Sequence, residues 1–570
     1  MYVIQEAKQE ILQELKKAVG KGYAPTLDDL TAPPESDMGD IAFGCFALSK
    51  KLKQNPAEIA TEIAAKIGPK GHIAKVKSAG PYVNFVLSNQ EFGTELLKEI
   101  KEMGKAYGTS DVGEDKRIMV EYANLNTHKD VHIGHLRNLF VGQVTVNVLK
   151  ANGYDVVPVA YINDLGLHVA KSVWAIQTLH KDEELPEKME DRIELLRTVY
   201  VEANKKLEKD ESLKTEITKT FQILESQSGE AVDLWKKTRG WSIDYLKQVY
   251  AELGISLEHW YFESEVLSRT KKVLEELIEK GIVVESEGAW IVDLRDENLG
   301  VNLLIKSDGT LLYNAKDIGL ALKKEDDYHP TRSIYVVDNR QSHALKQLFA
   351  TLKRMDFERE LVHLAYDFVT LSSGVMASRT GNVIRYETFR DRMFKNARKE
   401  TQERHSDWKD KQIDSVARAV SFAAMRFGML KQDTEKKLVF DVDEALSFDG
   451  FTGPYLLYTY ARIQSVLKKA KKAKPSFSAE HLTEDTEHQL ITMLADYPEV
   501  LFSVSQSLQL SRLAHYLFDL SKQFSEFYNN VPVLKAEKEI RAERLALLRS
   551  VQTVLKSGLD LLGIETVDEM

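Results

Sequence analysis

A chain of 570 residues, 43% hydrophobic and 29% charged, can hold several domains with cores of their own, roughly three or four at ordinary domain size. No apolar run approaches the length of a membrane span, and the opening Met1-Tyr2-Val3-Ile4-Gln5-Glu6 lacks the basic start and apolar centre of a signal peptide. The single cysteine, Cys45, excludes an internal disulfide framework and a cysteine zinc cluster, and the net charge of -10 argues against a generic nucleic-acid coat without excluding a local basic patch. Cytoplasmic location and no membrane partner are the defaults.

Residues 1–108 read as a separate small α/β module. Ile4, Ile11, Leu15 and Ala18 mark an amphipathic first helix. Ala32-Pro33-Pro34 is a turn, a short helix runs from Ala47 through Leu52, and Pro56 opens the next at a position where its missing N–H costs nothing. Val76 to Leu87 reads as strand, turn, strand around Ala79-Gly80-Pro81.

Arg117-Ile118-Met119-Val120 is a short apolar run suited to a buried parallel strand. A polar loop follows, then Leu136, Leu139, Phe140, Val144 and Val148 at helical spacing. Strand, polar loop and helix place the loop at the carboxyl end of a strand, where nucleotides bind in open α/β sheets. The new helix aims free N–H groups and its positive dipole end at an anion. His132 and His135 share one face of its first turn, and Gly134 between them removes a side chain. Two imidazoles here can donate to phosphate oxygens; a metal pair lacks a third nearby ligand, and two plain surface histidines are the bland alternative.

Asp155 to Ile162 is a second strand running into Asn163-Asp164-Leu165-Gly166. Residues 168–255 are charged and helical in period, and read as an insertion whose alternative is a solvated spacer. Ala289–Val292 and Leu303–Ile305 read as strands, with a turn at Ser307-Asp308-Gly309-Thr310. Tyr313 and Asp317 share a face if a helix starts there, and the strand Ile334–Val337 ends in Asp338-Asn339-Arg340-Gln341. Together Glu121, Asn126, Tyr313, Asp317 and Gln341 could form one pocket. Two carboxylates with amides suit a guanidinium, a planar cation with a fork of donors, whereas a neutral ligand needs no two buried acids. From about residue 389 strand signals vanish, and Leu513, Leu517, Leu520 and Phe524 are one stripe of a helical bundle. Tyr455, Tyr458, Arg462 and Tyr528, with Lys468, Lys469, Lys471 and Lys472 nearby, could stack on bases and meet phosphates, or could be core aromatics beside a solvated face.

His132-Ile133-Gly134-His135 resembles the signature of class I aminoacyl-tRNA synthetases, and Glu121, Asn126 and Lys129 before it resemble the arginyl-tRNA synthetases. So do Gly453-Pro454-Tyr455 and Phe527-Tyr528 near the end, and the Ala79-Gly80-Pro81-Tyr82 run near the start. The resemblance implies three parts: 1–108, an additional N-terminal domain touching the tRNA elbow; 109–388, a Rossmann-type catalytic domain with an insertion at 168–255; and 389–570, a helical anticodon-binding domain. It implies arginine–tRNA ligation with ATP and Mg²⁺, L-arginine and tRNA(Arg) as partners, a monomer, and no resident metal. It assigns ATP to His132, Gly134, His135, Asp338 and Met376, arginine to Glu121, Asn126, Tyr313, Asp317 and Gln341, and tRNA to Tyr455, Tyr458, Arg462 and Tyr528. The chain departs from the class where Lys-Met-Ser-Lys-Ser is usual: Val375 and Ser378 fall where the lysines would be. Lys129, with Arg379 second, is the expected substitute cation. Leu125 and Asp130 replace prolines common in the family. The rivals are a class I synthetase for another amino acid and an inactive tRNA-binding paralogue. No residue stands out as a general base.

Overall fold

The computed structural model describes every residue except 21–22, 34, 36–37, 373–383 and 471–472. At its centre is a sheet of five parallel strands in the spatial order Glu360–Tyr366, Arg332–Asp338, Arg117–Glu121, Asp155–Ile162, His259–Phe262. The chain fills one side of Arg117–Glu121 first and then returns to the other. The order therefore reverses between Arg117–Glu121 and Arg332–Asp338, and their carboxyl ends open a crevice there.

The helix Ile133–Ala151 follows the first strand and is buried nearly all round. The sheet covers one side and the helices Asp410–Leu430, Asp485–Ser507 and Lys538–Leu561 cover the other. Its Arg137 is fully buried and donates to the carbonyls of Asp367 and Lys436 at 2.8 Å and Asp433 at 2.9 Å. Those carbonyls flank two short parallel strands, Val369–Leu371 and Leu438–Phe440. The latter corrects the expectation of a strand-free region after residue 389: three residues are too few for a period to show.

Four helices, Leu167–Leu179, Met189–Lys209, Leu213–Ser226 and Glu230–Glu252, stand between the second and third strands of the central sheet. A separate antiparallel sheet holds Val284–Ser286, Ala289–Asp293 and Val301–Ile305, so the strands read at 289–292 and 303–305 lie outside the parallel sheet. The N-terminal module has an antiparallel sheet flanked by the helices Val3–Val19 and Pro56–Lys66, the latter capped by the Asn55 side chain. It docks on the C-terminal helices: Lys8 pairs with Glu499, and His488 Nε2 lies 2.9 Å from Asp40 Oδ1.

Candidate active site

The crevice holds a pocket of about 220 Å³ lined by Glu121, Asn126, Tyr161, Tyr313, Asp317, Asp338 and Gln341 among others. All five residues expected to read arginine are thus brought together. The helix Tyr313–Tyr328 presents Tyr313, Asp317, Leu320 and Lys324 along one face, as three- and four-residue steps require. Glu121 is buried at the end of the first strand. Its Oε2 pairs with the buried ammonium of Lys324, and its Oε1 accepts from Asn124 Nδ2 at 2.7 Å. Glu121 is therefore already engaged by the protein, a point the sequence reading missed. Glu263 and Lys316 form a second buried pair, whose charges both act on Asp317.

Asp317 has no hydrogen-bond or ion-pair partner among the described residues. Burial, with the charge of Glu263 adding and that of Lys316 opposing, pushes its carboxyl up to about 7. Of the three acids that line the pocket, Glu121 and Asp338 are engaged by basic side chains and Asp317 is not. Tyr313 is 54% exposed, and Gln341 is exposed at the start of the helix Ser342–Arg354. Asp338, expected at ATP, lines this pocket and is engaged by Arg340 through its backbone N–H at 2.9 Å and Nε at 2.8 Å.

Asn126 also lines a neighbouring cleft of about 370 Å³ with Lys129, His132, His135, Arg197, Tyr200 and Arg385. His132 caps the helix Ile133–Ala151 in extended backbone, and its ring stacks on that of His135 with centroids 3.6 Å apart. A Cβ on Gly134 would come within 3.0 Å of the His132 ring, so the glycine makes room for this stack. The His132 N–H reaches His135 Nδ1 at 3.2 Å, which assigns the His135 proton to Nε2. Burial and then the charge of Lys129 lower the His132 imidazole to about 4; burial, His132 and Lys129 hold His135 well below its ordinary value. The pair is neutral at physiological pH.

The loop between Glu121 and His132 is held from the insertion. His128 sits at φ +58° and donates its N–H to Ser242 Oγ at 3.0 Å, while its Nε2 lies 2.9 Å from Thr238 Oγ1. Asp130 pairs with Arg197, and the Val131 N–H reaches the Tyr245 hydroxyl at 3.4 Å. Asp130 thus anchors the loop by charge, and the insertion is no mere spacer. Lys129 is exposed with its ammonium 5.8 Å from the Tyr200 ring centre. Met376 and Arg379, with Val375 and Ser378, lie outside the described residues. No group of three His, Cys, Asp or Glu side chains among the described residues is arranged to hold a metal, and no helix among them is long and apolar enough to cross a membrane.

Tyr458, Arg462 and Tyr528 line a third cleft of about 800 Å³ on the C-terminal helices. The Arg462 guanidinium lies 4.5 Å from the Tyr458 ring centre and 5.3 Å from that of Tyr528. Tyr455 is not with them. Its hydroxyl meets Ser525 Oγ at 3.1 Å and its ring packs on Phe518. Lys468 pairs with Asp568 and Glu569, while Lys471 and Lys472 lie outside the described residues.

Family models match in three blocks: the N-terminal domain of arginyl tRNA synthetase over residues 5–87, the class I (R) tRNA synthetase catalytic domain over 97–442, and the DALR anticodon-binding domain over 456–570. The arginine–tRNA ligase of Bdellovibrio bacteriovorus is 36% identical over 98% of both chains. That of Halothermothrix orenii is 33% identical over 94% of this chain and 95% of its own. Among solved structures, Thermus thermophilus arginyl-tRNA synthetase superposes with a TM-score of 0.80 at 27% identity, covering 99% of this chain and 100% of its own. The Plasmodium falciparum enzyme shares the fold, with a TM-score of 0.79 at 21% identity and 99% coverage of each chain.

Proposed function

Because the chain belongs to the arginyl-tRNA synthetase family and is a class I arginine–tRNA ligase, we propose that the pocket at the strand ends takes arginine and the histidine cleft takes the ATP triphosphate. Asp317 faces the guanidinium, with Asn126, Tyr313 and Gln341 around the rest of the substrate. Glu121, held by Lys324, contributes oriented acceptors rather than a free charge. The substrate carboxylate points along Asn126 into the histidine cleft. It attacks the α-phosphate in line, the bond to pyrophosphate breaks, and arginyl-adenylate remains. The terminal ribose hydroxyl of tRNA(Arg), the 2′-OH in this class, then attacks the acyl carbon and releases AMP.

The protein's part is positioning and charge stabilisation. His132 and His135 donate N–H groups to phosphate oxygens at the helix start, beside Gly134. Lys129 supplies the cation that Val375 and Ser378 do not, with Arg379 the second candidate and Met376 assigned to ATP. Asp338 acts on ATP from the rim of the arginine pocket. Mg²⁺ arrives on the triphosphate. Tyr458, Arg462 and Tyr528, supported by Tyr455, receive the anticodon; residues 1–108 touch the tRNA elbow, with boundaries near 108 and 388. The enzyme acts as a cytoplasmic monomer.

One observation carries the arginine assignment: a pocket whose other acids, Glu121 and Asp338, are engaged by Lys324 and Arg340 leaves Asp317 for a cation. ATP–pyrophosphate exchange across the amino acids, with and without tRNA(Arg), tests it. Exchange with arginine alone is expected, and equal exchange with a neutral amino acid would overturn the reading.

A further inference from the structure

Resting on the reading of this pocket as the arginine site, we propose that Tyr161 is a further specificity-determining residue, its phenol oxygen accepting a guanidinium N–H beside Asp317.

Tyr161 lies near the end of the second strand and lines the pocket, with only 7% of its surface exposed. Its ring packs with Met119, Val159, Tyr261 and Leu320 on the side of the sheet that the helix Tyr313–Tyr328 covers. Its backbone N–H is taken by Asn124 Oδ1 at 2.8 Å, which fixes the residue's height in the crevice. Its hydroxyl is buried and has no partner among the described residues. Among the other buried tyrosines, the hydroxyl of Tyr386 also lacks a partner among the described residues, but Tyr386 does not line this pocket. The hydroxyls of Tyr122, Tyr245, Tyr250 and Tyr261 each have a protein partner between 2.6 and 2.9 Å, namely Gln143, Glu387, the Ala123 carbonyl and Asp327. A buried hydroxyl left unpaired is costly, so one facing a ligand pocket is most simply satisfied by the ligand.

The chemistry favours the guanidinium end of the substrate. Asp317, followed by Glu263, is the charged group that acts most strongly on this hydroxyl, and burial keeps the phenol protonated. A protonated phenol has lone pairs for one N–H of the substrate and a proton to offer the Asp317 carboxylate. Carboxylate and phenol together span two edges of a planar cation. A lysine ammonium is a point charge without that breadth, and a ureido group would set a carbonyl oxygen against one of two acceptors.

The test is Tyr161→Phe in the full chain, assayed by ATP–pyrophosphate exchange with tRNA(Arg) and by the arginine-induced shift in melting temperature. Removing one acceptor from a charged donor should raise the KM for arginine roughly ten- to a hundredfold. The KM for ATP and the kcat at saturating arginine should stay within about twofold, the pattern of lost substrate binding. The melting temperature without arginine should hold or rise, because no protein bond is lost, while the arginine-induced shift shrinks. Selectivity for arginine over citrulline should narrow. An arginine KM and thermal shift equal to wild type would overturn the proposal and leave the hydroxyl to a buried water. A lower melting temperature with a matching fall in kcat would also overturn it, marking a structural role. If Asp317→Asn abolishes the arginine response while Tyr161→Phe does not, the tyrosine's role falls and the arginine site stands. If wild type itself shows no arginine response, the reading of the pocket falls and the proposal with it.

Discussion

In the pocket at the strand ends, Glu121 has Lys324 and Asp338 has Arg340, while Asp317 has no partner among the described residues. In the adjoining histidine cleft, the two stacked rings are neutral, and the surrounding loop is tied down by side chains from the insertion. On the proposed reading, in which the pocket takes a guanidinium and the cleft an ATP triphosphate with its Mg²⁺, the difference follows the ligands. The cation meets the one carboxyl, Asp317, that no basic side chain of the pocket engages. A polyanion that carries its own Mg²⁺ is met by oriented N–H donors, which need no standing positive charge. A buried ion pair holds Glu121 in the pocket, while hydrogen bonds and the Asp130–Arg197 pair tie the loop of the cleft to the helical insertion.

This contrast can be broken at graded cost. The largest effect is expected from Lys324→Met, which strands a buried carboxylate and should lower stability by about 3–5 kcal/mol in denaturant unfolding. Adding Glu121→Gln should recover much of that loss; no recovery would mean that the two charges do not share one balance. Asp317→Asn removes the charge facing the substrate without changing shape. The KM for arginine should rise by the equivalent of roughly 2–5 kcal/mol with the KM for ATP nearly fixed. Equal changes in both constants would erase the distinction between pocket and cleft. On the cleft side, His132→Ala or His135→Ala should lower kcat about tenfold to a thousandfold, the loss expected for one preorganised donor, with tRNA affinity unchanged in filter binding. The mildest change is Ser242→Ala, which frees the His128 N–H. One neutral hydrogen bond, about 1 kcal/mol, should appear as a fall in kcat of under about tenfold, with no change in the KM for arginine.

The cleft was readable from sequence because its chemistry is contiguous: strand, loop, His132, Gly134 and His135 follow one another, and a helix start has only one geometry. Tyr313 and Asp317 were readable by the four-residue step. Lys324, seven residues past Asp317, obeys the same arithmetic, but an isolated lysine in Lys323-Lys324-Glu325-Asp326 looks solvated until its carboxylate is seen across the crevice. Tyr161 sat unremarked in a strand whose every residue but the first is buried, where alternation marks no face. The insertion's role depends on pairs far apart in sequence, such as Asp130 with Arg197 and His128 with Ser242, and no local period encodes them. Tyr455 and Tyr458 are three apart on one helix, yet one ring turns to Phe518 and the other to the open cleft. An aromatic stripe does not distinguish core from stacking platform.

The central claim is that Asp317 is the carboxylate kept for the guanidinium, and its proton reports on this directly. In the free protein its carboxyl stands at about 7, so below that pH it is mostly protonated and must ionise to meet a cation. Arginine affinity should therefore rise as pH climbs toward about 7 and level off above it. Calorimetric titration of arginine into the protein–tRNA complex, in buffers of different ionisation enthalpy, counts the proton. Near pH 6 the account predicts release approaching about one proton per arginine bound, fading toward zero by about pH 8.5, and none from Asp317→Asn. Arginine binding with no proton release at pH 6, or release unchanged in Asp317→Asn, would contradict it.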